Sequence, residues 1–408
     1  MFKHLLKINK KFGAQNYKSA PVIIREGWNV YLKDIDGKQY FDFLSSYSSV
    51  NQGHCHPQLV KTMKEQCEKL TLCSRAFHNE NLIEFYEFMN SKFNYDKCLP
   101  MNTGVEAGET AIKLARLWGY KEKKINNNEA QIVVANNNFW GRTITACSSS
   151  SDPLCYNNFG PYTPGFISVQ YNNIPHLEHV FKNNPNIAAF MVEPIQGEAG
   201  IIIPDSNYLS NVSKLCKKYN ILLICDEIQT GIGRTGCMLA SDYFNIKPDI
   251  LLLGKALSGG MIPISAVLAN DNIMNLIKPG SHGSTFGGNP LATKIAIEAV
   301  KIIKTENLTY NAEKMGNLFR KRLTPFKNRY VKDVRGVGLL NAIEFFDPIQ
   351  AQEFVNNCRD NGLLTNVTKN ATVRMCPPLI ISKHQMETSL DIIEDQILNL
   401  YSNSKYYF

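Results

Sequence analysis

Two carboxylates and a lysine stand at the ends of three apolar runs. Ile187 to Val192 ends in Glu193-Pro194, Ile221 to Cys225 ends in Asp226, and Ile250 to Leu253 leads into Gly254-Lys255. A lysine amine can form a Schiff base with a carbonyl, and a fixed carboxylate can hold a heterocyclic nitrogen protonated so that the ring withdraws electrons. Small residues around the lysine (Gly254, Ala256, Ser258, Gly259, Gly260) leave room for a bulky adduct. Upstream, Asn102-Thr103-Gly104-Val105-Glu106-Ala107-Gly108-Glu109 precedes a helical pattern from Thr110 to Trp118. A turn feeding a helix N-terminus offers free N–H groups and a positive dipole end to a phosphate. Amine, carboxylate and phosphate donors are the parts that a lysine adduct of pyridoxal 5′-phosphate requires.

The elements that must bring these parts together follow from periodicity. Both carboxylate-terminated runs are apolar throughout, as expected of strands covered on two faces. Between them Tyr208, Leu209, Val212, Leu215, Cys216 and Tyr219 fall on one helical face, with Lys214, Lys217 and Lys218 off it. Glu193, Asp226 and Lys255 are 33 and 29 residues apart, which suits a strand, a crossover helix and a parallel strand. Right-handed crossovers deliver successive strand ends to the same sheet edge, where open parallel sheets bind ligands. From Leu291 a long helical stretch leads to Val334–Leu340, read as a strand start, and then to a helix ending near Gly362. This C-terminal part reads as a separate α+β unit.

The 408 residues are 44% hydrophobic and 20% charged, enough for a large core and unlike disordered, collagenous or disulfide-scaffold chains. No apolar run approaches the roughly 20 residues of a membrane helix, so no membrane role is expected. The +8 charge is spread along the chain. Its longest basic block, Lys121 to Lys124, reads as a solvated helix end, and nucleic acid is not expected as a partner. Eleven cysteines without a Cys-x-x-Cys pair suit a reducing compartment. Residues 1 to 25 hold six Lys or Arg and no acid. A cytosolic location is expected, with a mitochondrial address left open.

Two other chemistries deserve weighing. Gly231-Ile232-Gly233-Arg234-Thr235-Gly236 matches the dinucleotide pattern, yet Asp226 to Thr230 separate it from its strand and no helical pattern follows. These glycines read as a flexible loop. His54-Cys55-His56 places two imidazoles on opposite sides of an extended chain with no partner cluster, so a structural loop is expected and no metal.

The runs NTGVEAGE, NNFWGRT, AAFMVEPIQGEAG, DEIQTGIGRTG, LLGKALSGG and GSTFGGNP resemble the class III, fold-type I pyridoxal-phosphate aminotransferases. FDFLSSYSSVNQGHCHP and VEPIQGEAG, with Tyr17 and Arg374 near the two ends, narrow the resemblance to the ornithine-handling branch, over nearly the whole chain from about Phe12. The resemblance implies an α/β fold with a mostly parallel sheet: an N-terminal segment 1–58 belonging to a small domain, a large cofactor domain 59–307 and a C-terminal small domain 308–408. It implies a homodimer with shared active sites, open to higher assembly. Lys255 would be joined to the cofactor as a Schiff base, Asp226 would bond the pyridine nitrogen, and Gln229 would approach the ring hydroxyl. Phe139 would stack on the ring, Gly104 and Val105 would bind the phosphate, and Thr285 would reach it from the other subunit. Arg142 and Tyr17 would hold ornithine's α-carboxylate and α-amine beside Tyr47. Arg374 would bind the carboxylate of 2-oxoglutarate, covered by Glu198 in the other half-reaction. The implied activity moves the δ-amine of L-ornithine to 2-oxoglutarate, a step tied to proline formation and arginine breakdown. Ile262 and Phe286 depart from residues common in relatives and bear on fine selectivity. The rivals are an acetylornithine or 4-aminobutyrate aminotransferase, which Tyr17 with Tyr47 disfavours, and a non-catalytic binding protein, which the intact Lys255 and Asp226 disfavour.

Overall fold

A computed structural model describes residues 1–402; the last six residues of the expected 308–408 unit lie outside the described residues. The chain opens with a helix, Phe2–Phe12, none of whose residues is buried. Three short strands follow: β1 (Ile24–Trp28), β2 (Tyr31–Asp34) and β3 (Gln39–Asp42), in antiparallel succession.

The central sheet draws on β4 (Lys97–Met101), β5 (Gln131–Ala135), β6 (Phe166–Val169), β7 (Ile187–Val192), β8 (Leu222–Asp226), β9 (Ile250–Leu253) and β10 (Ser265–Ala269). Their spatial order is β4-β10-β9-β8-β7-β5-β6, with β10 antiparallel to both neighbours and the other pairs parallel. Every residue of β7, β8 and β9 is buried, as uninterrupted apolar runs require of strands covered by helices on both faces. Each enclosed Val, Leu or Ile side chain contributes about 1.5–3 kcal/mol relative to exposure. The crossover helix Tyr208–Lys218 buries Tyr208, Leu209, Val212, Leu215 and Cys216, the face that its periodicity marked.

After helices Pro290–Thr305 and Leu308–Leu323 come β11 (Asp333–Val337), β12 (Leu340–Glu344), β13 (Leu363–Leu364), β14 (Val367–Lys369) and β15 (Thr372–Met375). β13 pairs with β3, which ties the C-terminal part to the N-terminal strands, while β11-β12-β15-β14 form an antiparallel sheet. One apolar core runs continuously from Val30 through Ile303 to Leu400.

Three local expectations are corrected. The helix read from Thr110 begins at Gly104, because Thr103 and Glu106 form a reciprocal capping box and Gly108 lets the helix close onto Trp140, where a Cβ would come within 2.5 Å of the indole. The block Lys121–Lys124 is not wholly solvated: Lys123 Nζ donates to Ile187 O at 2.8 Å and Tyr219 O at 3.2 Å. The Gly231–Gly236 run is no flexible loop. Its Arg234 is fully buried, donating to Leu339 O at 3.0 Å, Pro377 O at 2.6 Å and Asn51 Oδ1 at 2.5 Å. Gly233 and Gly236 turn the chain at φ of 88° and 86° to deliver it. The two histidines of His54-Cys55-His56 bond separate carboxylates, Asp42 and Glu306.

Arg234 thus joins the N-terminal segment, the central sheet and the C-terminal sheet through one guanidinium. Arg234→Leu removes the donors of three buried acceptors and is expected to lower stability by about 3 kcal/mol in denaturant unfolding followed by circular dichroism. A loss below about 0.5 kcal/mol would place this residue among ordinary surface positions.

Candidate active site

The ends of β7, β8 and β9 form one edge, and the chemistry lies there. Glu193 follows β7, Asp226 closes β8, and Lys255 follows β9 after Gly254. Glu193 and Asp226 line one cavity with Asn138, Phe139 and Trp140. Lys255 sits in the left-handed region at φ 45°, a strained conformation for a side chain of this size that the enclosing Gly254 and Ala256 segment must hold.

Burial dominates the electrostatics of this edge. It pushes the Asp226 carboxyl up to about 6, against the opposing pull of the Ile228 N–H at 3.0 Å and the nearby Lys255 charge. Burial, and then the Asp226 charge, push Glu193 up to about 8 although it accepts Phe139 N–H at 3.0 Å and Gly197 N–H at 3.1 Å. Burial likewise draws the Lys255 ammonium below its ordinary value, while Glu198 and Asp226 oppose that shift and Arg374 adds to it. A lysine so placed is primed to be a neutral nucleophile.

β15 carries Arg374, which is fully buried. Its Nη2 donates to Glu198 Oε1 at 2.7 Å and its Nη1 to Gln229 Oε1 at 2.7 Å. Gln229 Nε2 donates to the same Glu198 oxygen at 3.1 Å, which leaves one amide hydrogen for another acceptor. Burial alone would raise Glu198, yet Arg374 and Lys255 hold its carboxyl below the ordinary value. The Tyr47 ring lies 5.2 Å from the Arg374 guanidinium carbon, a cation–π contact. Tyr47 is presented by four consecutive left-handed residues, Ser45 to Ser48, a geometry costing about 1–2 kcal/mol per residue. Asp42 braces this turn by accepting Leu44 and Ser45 N–H at 2.9 and 2.8 Å, and it is itself held by His54 Nε2 at 2.7 Å.

The helix Gly104–Lys121 directs its first N–H groups, those of Gly104 and Val105, toward this edge, where no intrahelical partner exists for them. A Cβ on Gly104 would come within 2.9 Å of Ile228, and one on Gly141 within 2.2 Å of Val105, so the turn admits only a close backbone. Arg142 is exposed, with its guanidinium carbon 5.5 Å from the Phe139 centroid and Nη1 donating to Cys155 Sγ at 3.5 Å.

Lys255, Asp226, Gln229, Phe139, Glu198, Arg374 and Tyr47 are therefore gathered, with the Gly104–Val105 turn alongside. Three other expected residues are not enclosed, exposed Arg142 among them. Tyr17 is 71% exposed on the segment before β1, and Thr285 lies exposed in a surface hollow with Ser74, Arg75 and Ser284. Glu193 and Ile228 were not singled out as site residues. Glu193 had a signal, a carboxylate ending an apolar strand; Ile228, wedged between Gly104 and Gly254, had none beyond its place two residues after Asp226.

The family model for "Aminotransferase class-III" matches residues 12–397, and the chain belongs to that family. It is 53% identical over 390 residues to the mitochondrial ornithine aminotransferase of Drosophila melanogaster, covering 96% of this chain and 90% of that protein. It is 50% identical over 385 residues to the ornithine aminotransferase of Plasmodium falciparum, covering 94% and 93%. A solved ornithine aminotransferase from Toxoplasma gondii, with pyridoxal phosphate at partial occupancy at its active site, superposes with a TM-score of 0.98 at 45% identity, covering 100% of this chain and 96% of that one. The fold is that of the fold-type I enzymes, and the chain is a pyridoxal-phosphate-dependent enzyme. Its residues fit that cofactor: a cradle of close backbone at Gly104, an under-bonded Asp226 and a buried lysine lie at one edge of the sheet, around Ile228.

Asp226 should weigh on stability as it serves chemistry. Its folded-state carboxyl is raised above the unfolded 3.8 to about 6, so stability falls as pH rises through that window and the penalty is complete above it. The shift corresponds to about 3 kcal/mol. Cofactor-free Asp226→Asn is expected to be more stable than the parent by up to that amount near neutral pH, with the gain gone near pH 4. Urea unfolding across that range would measure it, and a pH-independent difference would contradict the assignment.

Proposed function

We propose that this chain is an ornithine δ-aminotransferase, taking the δ-amine of L-ornithine and passing it to 2-oxoglutarate. The observation that carries the reading is the buried Arg374–Glu198 pair facing Lys255, in a chain about half identical to ornithine aminotransferases over nearly its whole length. Bound pyridoxal phosphate supplies an aldehyde for the donor amine and a protonated ring that accepts electrons. Asp226 would keep that ring nitrogen protonated, Phe139 and Ile228 would flank the ring, Gln229 would offer its spare amide hydrogen to the ring hydroxyl, and the Gly104 and Val105 N–H groups would hold the phosphate. Lys255 Nζ, whose charged form burial disfavours, would take the proton from ornithine's δ-carbon and deliver it to the carbon that carried the cofactor's aldehyde. Hydrolysis by water would release glutamate 5-semialdehyde, which closes to pyrroline-5-carboxylate, and leave the nitrogen with the cofactor; the return half would pass that nitrogen to 2-oxoglutarate and release glutamate and water.

Arg142 and Tyr17 are proposed to hold ornithine's α-carboxylate and α-amine, with Tyr47 shaping the space between. Tyr17 can do so only when something covers the exposed segment that bears it. That need supports a homodimer, as do Phe77 at 70% and Phe286 at 56% exposure beside exposed Thr285. The division into 1–58, 59–307 and 308–408 is supported by the central sheet, whose strands all lie between residues 97 and 269, and by the β3–β13 pairing. A cytosolic location is proposed, with the mitochondrial matrix as the second reading. The basic, unburied helix Phe2–Phe12 and the label of the Drosophila relative favour the latter.

The holoenzyme's visible absorbance is expected to change on adding L-ornithine, to recover with 2-oxoglutarate, and to yield pyrroline-5-carboxylate. Lys255→Ala should hold cofactor without sustained turnover. A kcat/KM for N-acetylornithine or 4-aminobutyrate above that for ornithine would overturn the substrate assignment.

The pocket must take a donor lacking a side-chain carboxylate and then an acid carrying one at each end. An unpaired Arg374 would capture ornithine's α-carboxylate and present the wrong amine. Glu198 prevents this by occupying Arg374 in the first half, and yields in the second because attraction and desolvation in such a pair nearly cancel. Glu198→Ala is expected to raise reaction through the α-amines of ornithine and glutamate relative to the δ-amine. Single-turnover kinetics with each donor would show it; unchanged ratios would reduce Glu198 to a loop acid.

A further inference from the structure

Glu193 is a buried acid that the reaction above does not use. It is 7% exposed, and its two oxygens bond different segments. Oε1 accepts the N–H of Phe139, whose ring is the cofactor platform, and Oε2 accepts the N–H of Gly197, next to Glu198. The same segments are tied a second time, by Gln196 Nε2 donating to Asn136 O at 2.7 Å. Gly197 packs so closely on Gln229 that a Cβ there would lie 2.0 Å from the amide oxygen. The Glu193 end of the loop is anchored in turn by Tyr171, whose hydroxyl donates to Glu193 O at 3.2 Å and Pro194 O at 2.9 Å.

We propose that Glu193 is a positioning residue which couples the Phe139 platform to the Glu198 loop, so that the grip on the cofactor and the choice between the donor's two amines depend on one carboxyl. Burial and the neighbouring Asp226 charge keep it protonated near neutral pH, so it braces both segments without setting a second anion beside Asp226. The inference rests on the aminotransferase reading for its selectivity half, while its cofactor half stands on geometry alone. A purely structural acid at this place would hold the loop and touch neither property.

Glu193→Gln keeps the volume but replaces one acceptor by a donor that cannot serve an N–H. Equilibrium dialysis of the folded variant against pyridoxal phosphate is expected to show affinity reduced about tenfold. Single-turnover rates are expected to show the δ-to-α ratio with ornithine reduced by a similar factor. Combined with Glu198→Ala, it should lower that ratio no further than Glu198→Ala alone, because both act through one loop. Should Glu193→Gln fail to fold, Tyr171→Phe loosens the same anchor and is expected to shift both readouts in the same direction by about threefold. A lowered melting temperature with unchanged dialysis and unchanged ratio in whichever variant folds, or additive effects in the double variant, would overturn the proposal. A wild-type protein that ignores ornithine would refute the substrate reading, and the dialysis result would still decide the coupling.

Discussion

A guanidinium with no access to water is the constraint around which this site is built. Arg374 is enclosed completely, and stripping such a group of solvent costs several kcal/mol unless its donors are met. Its ion pair among the described residues is with Glu198, and the loop bearing that acid has to cross from the end of β7 to the C-terminal sheet to reach it. Thr368 on β14 helps to fasten the crossing by donating to Glu198 O at 3.2 Å. The left-handed Ser45–Ser48 turn brings Tyr47 over the guanidinium from a third direction. Three sheets therefore meet at one charge, and the small units cannot drift from the central sheet without exposing it.

Consecutive acids at the end of β8 show how chemistry and stability are kept apart. Glu227 is fully enclosed and accepts four hydrogen bonds, from Thr230 Oγ1, Ala240 N, Ser241 N and Ser241 Oγ. Asp226, one residue earlier, has the single Ile228 N–H among the described residues. The first acid is satisfied and secures the turn toward Arg234; the second is left short of partners in the direction of the cavity. An under-bonded carboxylate destabilises the folded chain and is available to a cationic ring nitrogen. The strained Lys255 backbone belongs with it, and both are offset by the large apolar core and the Arg234 junction.

Much of this was legible in the residues. Uninterrupted apolar runs ending in Glu193, Asp226 and Lys255 specify buried parallel strands, and their spacing places the three ends at one edge. The resemblance then supplied Phe139, Gln229, Glu198 and Arg374, which lie far apart in sequence and have no periodic signal to unite them. The Gly231–Gly236 run was misread because glycines at positive φ signal a tight path, and only tertiary contacts reveal whether that path is solvated or, as with Arg234, enclosed. The early start of the helix at Gly104 was hidden for a related reason: two glycines lower intrinsic helicity, and a capping box together with the Trp140 contact overrides them. Tyr17 and Thr285 are exposed in this chain, and only the resemblance connects them with the site.

The same enclosure bears on the change of partners proposed for Arg374. If Glu198 were its whole environment, moving that acid would leave a bare buried cation, at a cost no ordinary substrate contact could match. Gln229 Oε1 also accepts from Nη1, Tyr47 lies over the guanidinium face, and Thr368 Oγ1 lies 3.5 Å from Nη2. Nε is buried with no hydrogen-bond partner among the described residues, so donor capacity remains for an incoming carboxylate. Glu198, for its part, keeps the Gln229 amide and gains freedom from being the less enclosed of the pair. The proposed exchange would then be between one carboxylate and another on a cation never stripped of all its neighbours, with a free-energy difference small enough for substrate to set.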